Sequence, residues 1–434
     1  MTTAIATKLK SIIDSNTKLV ELSQADIYWQ SKINQAVDIS SEPIYLVFPT
    51  TVDSLATIVK QASRNKWRIL ICGNGTKLAW GKVAQNIQLV ISTQKCDRLI
   101  EHAAGDLTIT AETGMKLVDL QTKLRSHNQF LPIDPSYPDT ATLGGIVATA
   151  DTGSWRERYG GIRDLLLGLS FVRADGAVAK AGGRVVKNVA GYDLMKLFTG
   201  AYGTLGIITQ LTFRTYPIIS SSQTLLLTGK ADSIAQTAQT IRNSGLTPTA
   251  IDLLSTGLIQ RLGLDGDVGL IARWQTIPES IKQQVEQVKE IATKLDLATF
   301  DYHDLAETDL WQKCASMTIP ANLEAVTCKI GIAPIEAVNF LQLKEITRNN
   351  IAVRIQAGSG IGQLQLDNED KQIINKMRSH CQENYGFLTI LDAPKSIKQE
   401  LDVWGYQGNA AKTMQAIKHQ FDPQSMLNGD RFII

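Results

Sequence analysis

The sequence is poor in the residues that build metal and disulfide sites. It has five cysteines, an odd number without a C-x-x-C pair, and five histidines without H-x-x-H or H-x-x-x-H spacing. These patterns give little support to a disulfide framework, an iron–sulfur cluster or a local metal site. We therefore expect no bound metal, and we expect the cysteines to be buried as small hydrophobic side chains.

Long apolar runs and an excess of one charge are also lacking. No run of eighteen apolar residues occurs, and the first residues carry no signal-peptide pattern. The formal net charge is +2 and aromatic residues make up 6% of the chain, which argues against a nucleic-acid-binding surface. We expect a cytoplasmic protein without a transmembrane segment, either free or docked at the inner face of a membrane through partners.

Glycine, by contrast, is abundant in one region. Residues 140–209 contain 13 of the 32 glycines, and glycine permits positive φ angles and close backbone approach. Within this region, Asn188 is placed to cap a short helix that contains Leu194 and Phe198. Gly206 then interrupts a predicted strand, which indicates either a β-bulge or a group close to the backbone.

A second glycine-containing loop follows the strand predicted at 67–72. Its sequence is Gly73-Asn74-Gly75-Thr76-Lys77, in which consecutive backbone N–H groups can point at one anion. The alternative is a β-turn with Asn74 in the left-handed conformation. Neither the G-x-G-x-x-G fingerprint nor the Walker A spacing is present, which argues against both NAD and ATP as ligands of this loop.

Two unusual segments lie between residues 131 and 150. Pro132, Pro135 and Pro138 exclude a regular helix or a central strand and predict a stiff loop. The run LGGIVATA, at 143–150, has small apolar side chains. This run is either a floor for a flat, bulky ligand or a site of tight helix packing, and its composition does not decide between the two.

Three motifs, in order and in register, carry a family resemblance. GNGTK at 73–77, PDTATLGGIVATADTGSWRERYGGIRD at 138–164 and GGRVVKNVAGYDLMKLFTGAYGTLGIIT at 182–209 together resemble the FAD-binding domain of the vanillyl-alcohol oxidase-like flavoproteins. The ending FDPQSMLNGDRFI, at 421–433, is similar to the family's C-terminal FDP…LNP-G segment. Within the family, the chain resembles the E-type FAD-binding subunits of bacterial glycolate oxidases.

The resemblance implies an α+β fold, in which a two-subdomain PCMH-type FAD-binding domain is followed by a ferredoxin-like cap domain and a short C-terminal segment. Two rounds of strand–helix–strand pattern in the second half, including one helix over 335–346, agree with the ferredoxin-like part. The implied divisions are an N-terminal helical segment at 1–40, the FAD-binding domain at 41–218, the cap at 219–407, and a C-terminal helix and tail at 408–434 that return to the FAD domain.

The resemblance also assigns the cofactor contacts by motif position. The first run would hold the pyrophosphate through backbone N–H groups, the second would line the adenosine and diphosphate, and the third would run beside the ribityl chain and the isoalloxazine ring. These residues are Gly73, Asn74, Gly75, Thr76, Lys77; Pro138, Asp139, Thr140, Ala141, Thr142, Gly144, Gly145, Ile146, Val147, Ala148, Thr149; and Gly203, Thr204, Leu205, Gly206, Ile207, Ile208.

The chain departs from the family pattern in three places. Asn74 stands where relatives usually have glycine, and the first loop has no histidine for covalent attachment, so non-covalent FAD is expected. Ala201-Tyr202 replaces a common Ser-Glu pair. Catalytic 2-hydroxy-acid relatives carry a His-rich G-D-G-N-x-H type segment, whereas the best match here, IQAGSGIGQLQL at 355–366, has no His and no Asp. The segment thus supplies no general base, and the catalytic residues stay unknown.

Three functions remain open. The chain is an FAD subunit of a multi-subunit glycolate oxidase, with a homologous FAD subunit and an iron–sulfur subunit as partners. Alternatively, it is a self-sufficient glycolate or D-lactate dehydrogenase that uses His303 or His380 as its base. As a third possibility, its flavin is purely structural. Arg273, Trp274 and Arg354 either face the flavin and bind a substrate carboxylate, or lie at a solvated edge.

Overall fold

The computed structural model describes residues 2–38, 42–185, 191–317, 319–320, 322–368 and 370–433. The backbone divides into two compact units. Unit 1 comprises Met1–Gly153, Gly160–Ile218 and Gln407–Ile434, and unit 2 comprises Ser154–Tyr159 and Ile219–Tyr406. The predicted helix cap at Asn188 lies outside the described residues.

Unit 1 contains two main sheets with helices around them. Its strands are β1 (Lys18–Glu21), β2 (Tyr45–Phe48), β3 (Ile69–Cys72), β4 (Leu89–Ser92), β5 (Leu99–Ala103), β6 (Thr108–Glu112), β7 (Gln129–Phe130), β8 (Leu166–Val172), β9 (Val178–Gly182), β10 (Ile207–Arg214) and β11 (Tyr216–Pro217). Its helices are α1 (Thr2–Lys10), α2 (Ile27–Ala36), α3 (Val52–Asn65), α4 (Leu117–Arg125), α5 (Leu143–Thr149), α7 (Ile162–Leu165), α8 (Leu194–Phe198) and α17 (Ala411–Phe421).

The first sheet of unit 1 has the order β1-β2-β4-β3. Strands β2 and β3 both run parallel to β4, because α3 carries the chain back from the end of β2 to the start of β3. Thr51 caps α3 by accepting the N–H of Ser54, and the apolar stripe that contains Leu55, Ile58 and Val59 is fully buried. This sheet ends at Cys72, directly before the Gly73–Lys77 loop.

The second sheet has the order β5-β6-β10-β8-β9 and is antiparallel. The hairpin β8–β9 turns at Asp175-Gly176, where Gly176 has a φ of 84°. Strand β10 pairs with β8 through a register shift between Ile208 and Gln210. Gly206 lies directly before β10 and does not interrupt it, and the register shift falls at Thr209, three residues later, so the bulge is not at the predicted position. The alternative interpretation, a group close to the backbone, holds at Gly206, since a Cβ there would lie 2.9 Å from the Phe171 ring.

Unit 2 is built on one eight-stranded antiparallel sheet. Its strands are β12 (Ser222–Gly229), β13 (Ala250–Ser255), β14 (Val268–Gln275), β15 (Ala298–Tyr302), β16 (Val326–Gly331), β17 (Ala352–Gln356), β18 (Ile361–Leu366) and β19 (Phe387–Asp392). Its helices are α6 (Arg156–Tyr159), α9 (Ala231–Asn243), α10 (Thr256–Arg261), α11 (Pro278–Lys294), α12 (Asp304–Ser316), α13 (Ala337–Leu341), α14 (Lys344–Thr347), α15 (Lys371–Glu383) and α16 (Lys395–Glu400).

The sheet of unit 2 consists of two ferredoxin-like halves. The strand order is β15-β12-β14-β13-β17-β18-β16-β19, so each half repeats the split βαββαβ arrangement. The halves join where β13 pairs with β17, with Leu253 opposite Ile355. The predicted ferredoxin-like fold is thus confirmed and is present twice. The helix predicted over 335–346 is instead a 3₁₀ turn followed by α13 and α14.

Among the described residues, no helix is both long and apolar enough to cross a bilayer. The same part of the chain has no cluster of three or more His, Cys, Asp or Glu side chains placed to hold a metal ion.

All five cysteines are free thiols; Cys72 is partly exposed and the other four are buried. Burial raises the pKa of the Cys328 thiol to about 12, which fits the predicted role of a small hydrophobic side chain.

Candidate functional site

A deep pocket lies between the two sheets of unit 1. It encloses about 760 Å³ of space, part of which is open to solvent. The loop after β3, helix α5, the turn before β10 and the C-terminal tail form its walls. The lining residues are Leu70, Ile71, Cys72, Gly73, Asn74, Gly75, Thr76, Lys77, Leu78, Thr93, Thr113, Thr142, Gly144, Gly145, Ala148, Thr149, Tyr202, Gly203, Gly206, Ile208, Asn428 and Arg431.

The loop from Gly73 to Lys77 forms one wall of this pocket. The residue with positive φ is Gly75, at 75°, and not Asn74, so the turn with a left-handed Asn74 is not what forms. Within the described chain, the N–H groups of residues 74–77 donate to no protein acceptor. The Tyr28 hydroxyl donates to the carbonyl of Asn74 at 2.6 Å and holds the loop from outside. The loop therefore offers consecutive free donors, as an anion-binding nest requires.

The charge of Lys77 is already neutralised within the protein. Its Nζ lies 2.7 Å from Oδ2 of Asp151, and both side chains are buried. Oδ2 of Asp151 also accepts the N–H of Ser136 at 2.9 Å. An anion bound at this loop thus meets backbone N–H groups next to an ammonium group whose charge is already balanced by Asp151.

Helix α5 forms the floor of the pocket. Gly144, Gly145, Ala148 and Thr149 face the pocket, whereas the larger side chains of this helix pack into the apolar core of unit 1. The small residues of LGGIVATA therefore line a pocket, and helix packing uses the larger side chains instead. The floor for a flat ligand stays a prediction. Close approach is required at Gly73 as well, because a Cβ there would lie 2.0 Å from Oγ1 of Thr142, the residue that caps α5.

The turn before β10 forms a third wall. Tyr202 has a φ of 53° and Gly203 a φ of 71°. The Tyr202 N–H donates to the carbonyl of Ala148 at 2.8 Å, and its ring stacks on Phe432 with centroids 5.6 Å apart. Burial raises the pKa of Tyr202 above its usual range, so the phenol is neutral. The departure from Ser-Glu thus places an aromatic side chain at the pocket wall.

Not every residue that the resemblance assigned lines the pocket. Pro138, Asp139 and Thr140 are exposed, because the stiff loop reaches the pocket only at Thr142. The others point into the protein core, since they occupy the inward positions of α5, of β10 or of the segments before them: Ala141, Ile146, Val147, Thr204, Leu205 and Ile207.

Some lining residues were missed by the sequence interpretation. Thr93 and Thr113 follow β4 and β6, and Asn428 and Arg431 come from the C-terminal tail. Sheet topology, not local sequence, brings the two threonines to the pocket. The family resemblance of FDPQSMLNGDRFI indicated that the tail belongs to the FAD-binding domain, but its pattern did not indicate which of its side chains face the pocket.

The carboxylate-binding residues proposed in the second half have other partners. Nε of Arg273 lies 2.9 Å from Oε1 of Glu307, and both residues are buried. Trp274 is fully buried. Nε of Arg354 lies 3.7 Å from the buried carboxylate of Asp252. The solvated-edge interpretation is therefore wrong for Arg273 and Trp274, and both arginines already face a protein carboxylate.

The two histidines considered as bases differ in environment. His303 is exposed and precedes α12 without a side-chain cap. His380 lies on α15, with its ring 5.9 Å from that of Phe340, and its buried Nε2 has no hydrogen-bond partner within the described chain. Segment 355–366 forms the β17–β18 hairpin, where Oγ of Ser359 donates to Oε1 of Gln356 at 2.8 Å. This hairpin presents no acid–base side chain.

Comparison with known proteins places the N-terminal half of the chain among FAD-binding sequences. Residues 43–182 match the FAD binding domain family. Over 326 residues the chain is 26% identical to glycolate oxidase subunit GlcD of Bacillus subtilis (strain 168). This alignment covers 73% of this chain and 67% of GlcD. Over 161 residues it is 36% identical to glycolate oxidase subunit GlcE of Escherichia coli (strain K12), which covers 37% of this chain and 45% of GlcE.

The fold has solved counterparts. p-Cresol methylhydroxylase with bound substrate aligns over 99% of this chain and 96% of its own, with a TM-score of 0.74 and 15% identity. The chain therefore has the PCMH-type FAD-binding fold. The match of residues 43–182 to the FAD binding domain family supports the prediction that its cofactor is FAD. The alignment to GlcE is shorter than that to GlcD, so the assignment to the GlcE type stays a prediction.

Proposed function

We propose that this chain, an FAD-dependent oxidoreductase, is the FAD-binding subunit of a multi-subunit glycolate oxidase. Such an enzyme converts a 2-hydroxy acid to a 2-oxo acid and passes the electrons to an iron–sulfur subunit. A homologous FAD subunit would carry out the oxidation. Support comes from relatives named as two different subunits of glycolate oxidase, GlcD and GlcE.

The pocket residues fit FAD. We infer that residues 74–77 bind the pyrophosphate with their free N–H groups, since the Lys77–Asp151 pair leaves no free ammonium there. Gly144 and Gly145 let the cofactor lie against α5, and Gly203 and Gly206 do the same at the turn before β10. The bound flavin supplies a two-electron acceptor, and the protein supplies its position and electrostatic environment.

One observation carries the assignment to a subunit rather than to a complete enzyme. The pocket of unit 1 combines the nest, the small-residue face of α5 and the glycine-containing turn that FAD binding would use, whereas segment 355–366 contains no His, Asp or Glu. Oxidation of a hydroxy acid requires a titratable group within reach of the hydroxyl proton. We infer that the base for the reaction comes from another subunit.

Anaerobic reduction of the purified chain tests this function. The chain alone is expected to be yellow and to keep its flavin absorption when glycolate or D-lactate is added without oxygen. Addition of the partner subunits is expected to restore glycolate-dependent reduction of a dye. A dye assay with the partners alone is the matched control, because it shows whether this chain's flavin is needed.

The other outcomes identify the alternatives. Bleaching of the isolated chain by a short hydroxy acid would establish a self-sufficient dehydrogenase, and His303→Gln and His380→Gln would then locate its base. If the complex turns over at an unchanged rate when its copy of this chain lacks FAD, the flavin of this chain has a structural role only.

A further inference from the structure

The walls of the pocket come from distant parts of the sequence, and the C-terminal end of the chain contacts two of them, the nest loop with the strand before it and the turn before β10. Segment 418–431, here called the clasp, runs from the end of α17 along the edge of β3. The Ile69 N–H donates to the Met426 carbonyl at 2.8 Å, and the Asn428 N–H donates to the Ile69 carbonyl at 2.9 Å. The clasp thus extends the first sheet as a short parallel neighbour of β3.

The side chain of Asn428 joins two pocket walls. Its Oδ1 accepts the N–H of Ile71 at 2.7 Å, and its Nδ2 donates to the carbonyl of Tyr202 at 2.6 Å. Ile71 precedes the nest loop, and Tyr202 precedes Gly203. One buried amide group therefore fixes the distance between the nest and the turn, and each of its hydrogen bonds uses an atom that alanine lacks.

Gly203 shows how closely the clasp approaches. A Cβ on Gly203 would lie 2.7 Å from Nδ2 of Asn428. Asn428 itself has a φ of 46°, a conformation that asparagine tolerates better than most residues. The clasp therefore contacts the turn through Gly203 and Asn428, two residues that both have positive φ angles and whose residue types tolerate that conformation.

Two further side chains secure the ends of the clasp. The ammonium of Lys418 donates to the carbonyls of Thr204 at 2.8 Å and Leu427 at 3.0 Å, and to the Asp422 carboxylate at 2.5 Å. Burial lowers the pKa of Lys418, while Asp422 favours its charged form. Arg431 donates to the carbonyls of Leu78, at 2.6 Å, and Trp80, just beyond the nest.

We propose that the clasp is a cofactor-positioning device and that Asn428 is its central positioning residue. The amide of Asn428 sets the spacing between the pyrophosphate nest and the Tyr202–Gly203 turn, and so determines how tightly FAD binds. This role rests on FAD binding and is independent of whether the chain oxidises glycolate. It also assigns a purpose to the C-terminal motif that local sequence pattern did not give.

The test compares Asn428→Ala with Asp430→Asn. Asp430 lies in the same clasp, has a φ of 64° that asparagine accepts, and pairs only with the partly exposed Arg68 among the contacts described. Asn428→Ala is expected to raise the dissociation constant of FAD by at least about tenfold, because the hydrogen bonds to Ile71 and Tyr202 no longer hold the nest and the turn at the spacing that FAD binding requires. Asp430→Asn is expected to leave it within about twofold, because exposed ion pairs contribute little.

Apo-protein melting and the visible spectrum of the residual flavin separate positioning from general destabilisation. The lost hydrogen bonds are expected to lower the melting temperature of the apo-protein as well, so FAD binding is measured well below that temperature. A positioning role predicts an altered flavin absorption band and weakened FAD binding in the protein that is still folded. Should Asn428→Ala not fold, Asn428→Asp replaces it, because it keeps the acceptor for the Ile71 N–H and loses the donor to Tyr202. An unchanged FAD dissociation constant in the folded variant would overturn the proposal, as would equal loss in Asp430→Asn.

Discussion

Replacement of Gly73 by alanine is expected to weaken FAD binding by roughly tenfold to a hundredfold, equivalent to about 1–3 kcal/mol of overpacking. The new Cβ would lie 2.0 Å from Oγ1 of Thr142 and 3.0 Å from its Cβ, so either the nest or the start of α5 must move. The nest and α5 each form a wall of the pocket, so displacement of either one misaligns the free N–H groups of residues 74–77. Fluorescence titration of the apo-protein with FAD measures the effect.

Gly105→Ala is the matched control for this variant. A Cβ at Gly105 meets nothing within 4 Å, and the residue belongs to the same unit but does not line the pocket. Its FAD affinity is expected to equal that of the wild type. Wild-type affinity in Gly73→Ala would mean that the nest does not contact the cofactor.

Lys77→Met is expected to destabilise the apo-protein by about 3–5 kcal/mol, the usual result of leaving one partner of a buried ion pair alone. The carboxylate of Asp151 is 6% exposed and would lose the only cation that lies within 4 Å of it among the described residues. Urea denaturation of the FAD-free protein measures the change, as a shift in the midpoint of the transition that reports on unit 1.

The double variant Lys77→Met/Asp151→Asn is expected to recover most of this loss. Asparagine removes the buried charge and keeps an oxygen for the Ser136 N–H, which Asp151 accepts at 2.9 Å. Arg173→Ala, which breaks an exposed pair with Asp175, should cost less than about 1 kcal/mol. Because Lys77 is engaged by Asp151, the double variant should still bind FAD; loss of binding in a stable double variant would instead assign the ammonium to the phosphates.

Local patterns predicted those parts of unit 1 whose geometry is set by neighbours in sequence. The strand predicted at 67–72, the short helix that contains Leu194 and Phe198, and the free N–H groups of the nest all follow from residues within a few positions of each other. Tyr202 and Asn428 had no such signal. Their roles depend on a hydrogen bond between residues 226 positions apart, and the order of strands in two sheets decides that they meet.

Unit 2 was harder to predict for a related reason. The sequence of β13 gives a weak signal because Asp252 interrupts its apolar run, and β18 is a short segment between glycines and Asp367. In the sheet, the carboxylate of Asp252 is buried beside Arg354, an arrangement that only pairing of β13 with β17 makes favourable. The second ferredoxin-like half could therefore be recognised only after the strands were paired.

Non-covalent FAD in the pocket of unit 1 underlies both proposals, and the visible spectrum of the purified wild-type chain tests its presence most directly. We predict a flavin spectrum, with a stoichiometric amount of FAD released into the supernatant when the protein is precipitated with acid. A colourless protein that takes up no FAD on titration would contradict non-covalent FAD binding, and so would flavin that stays with the precipitate.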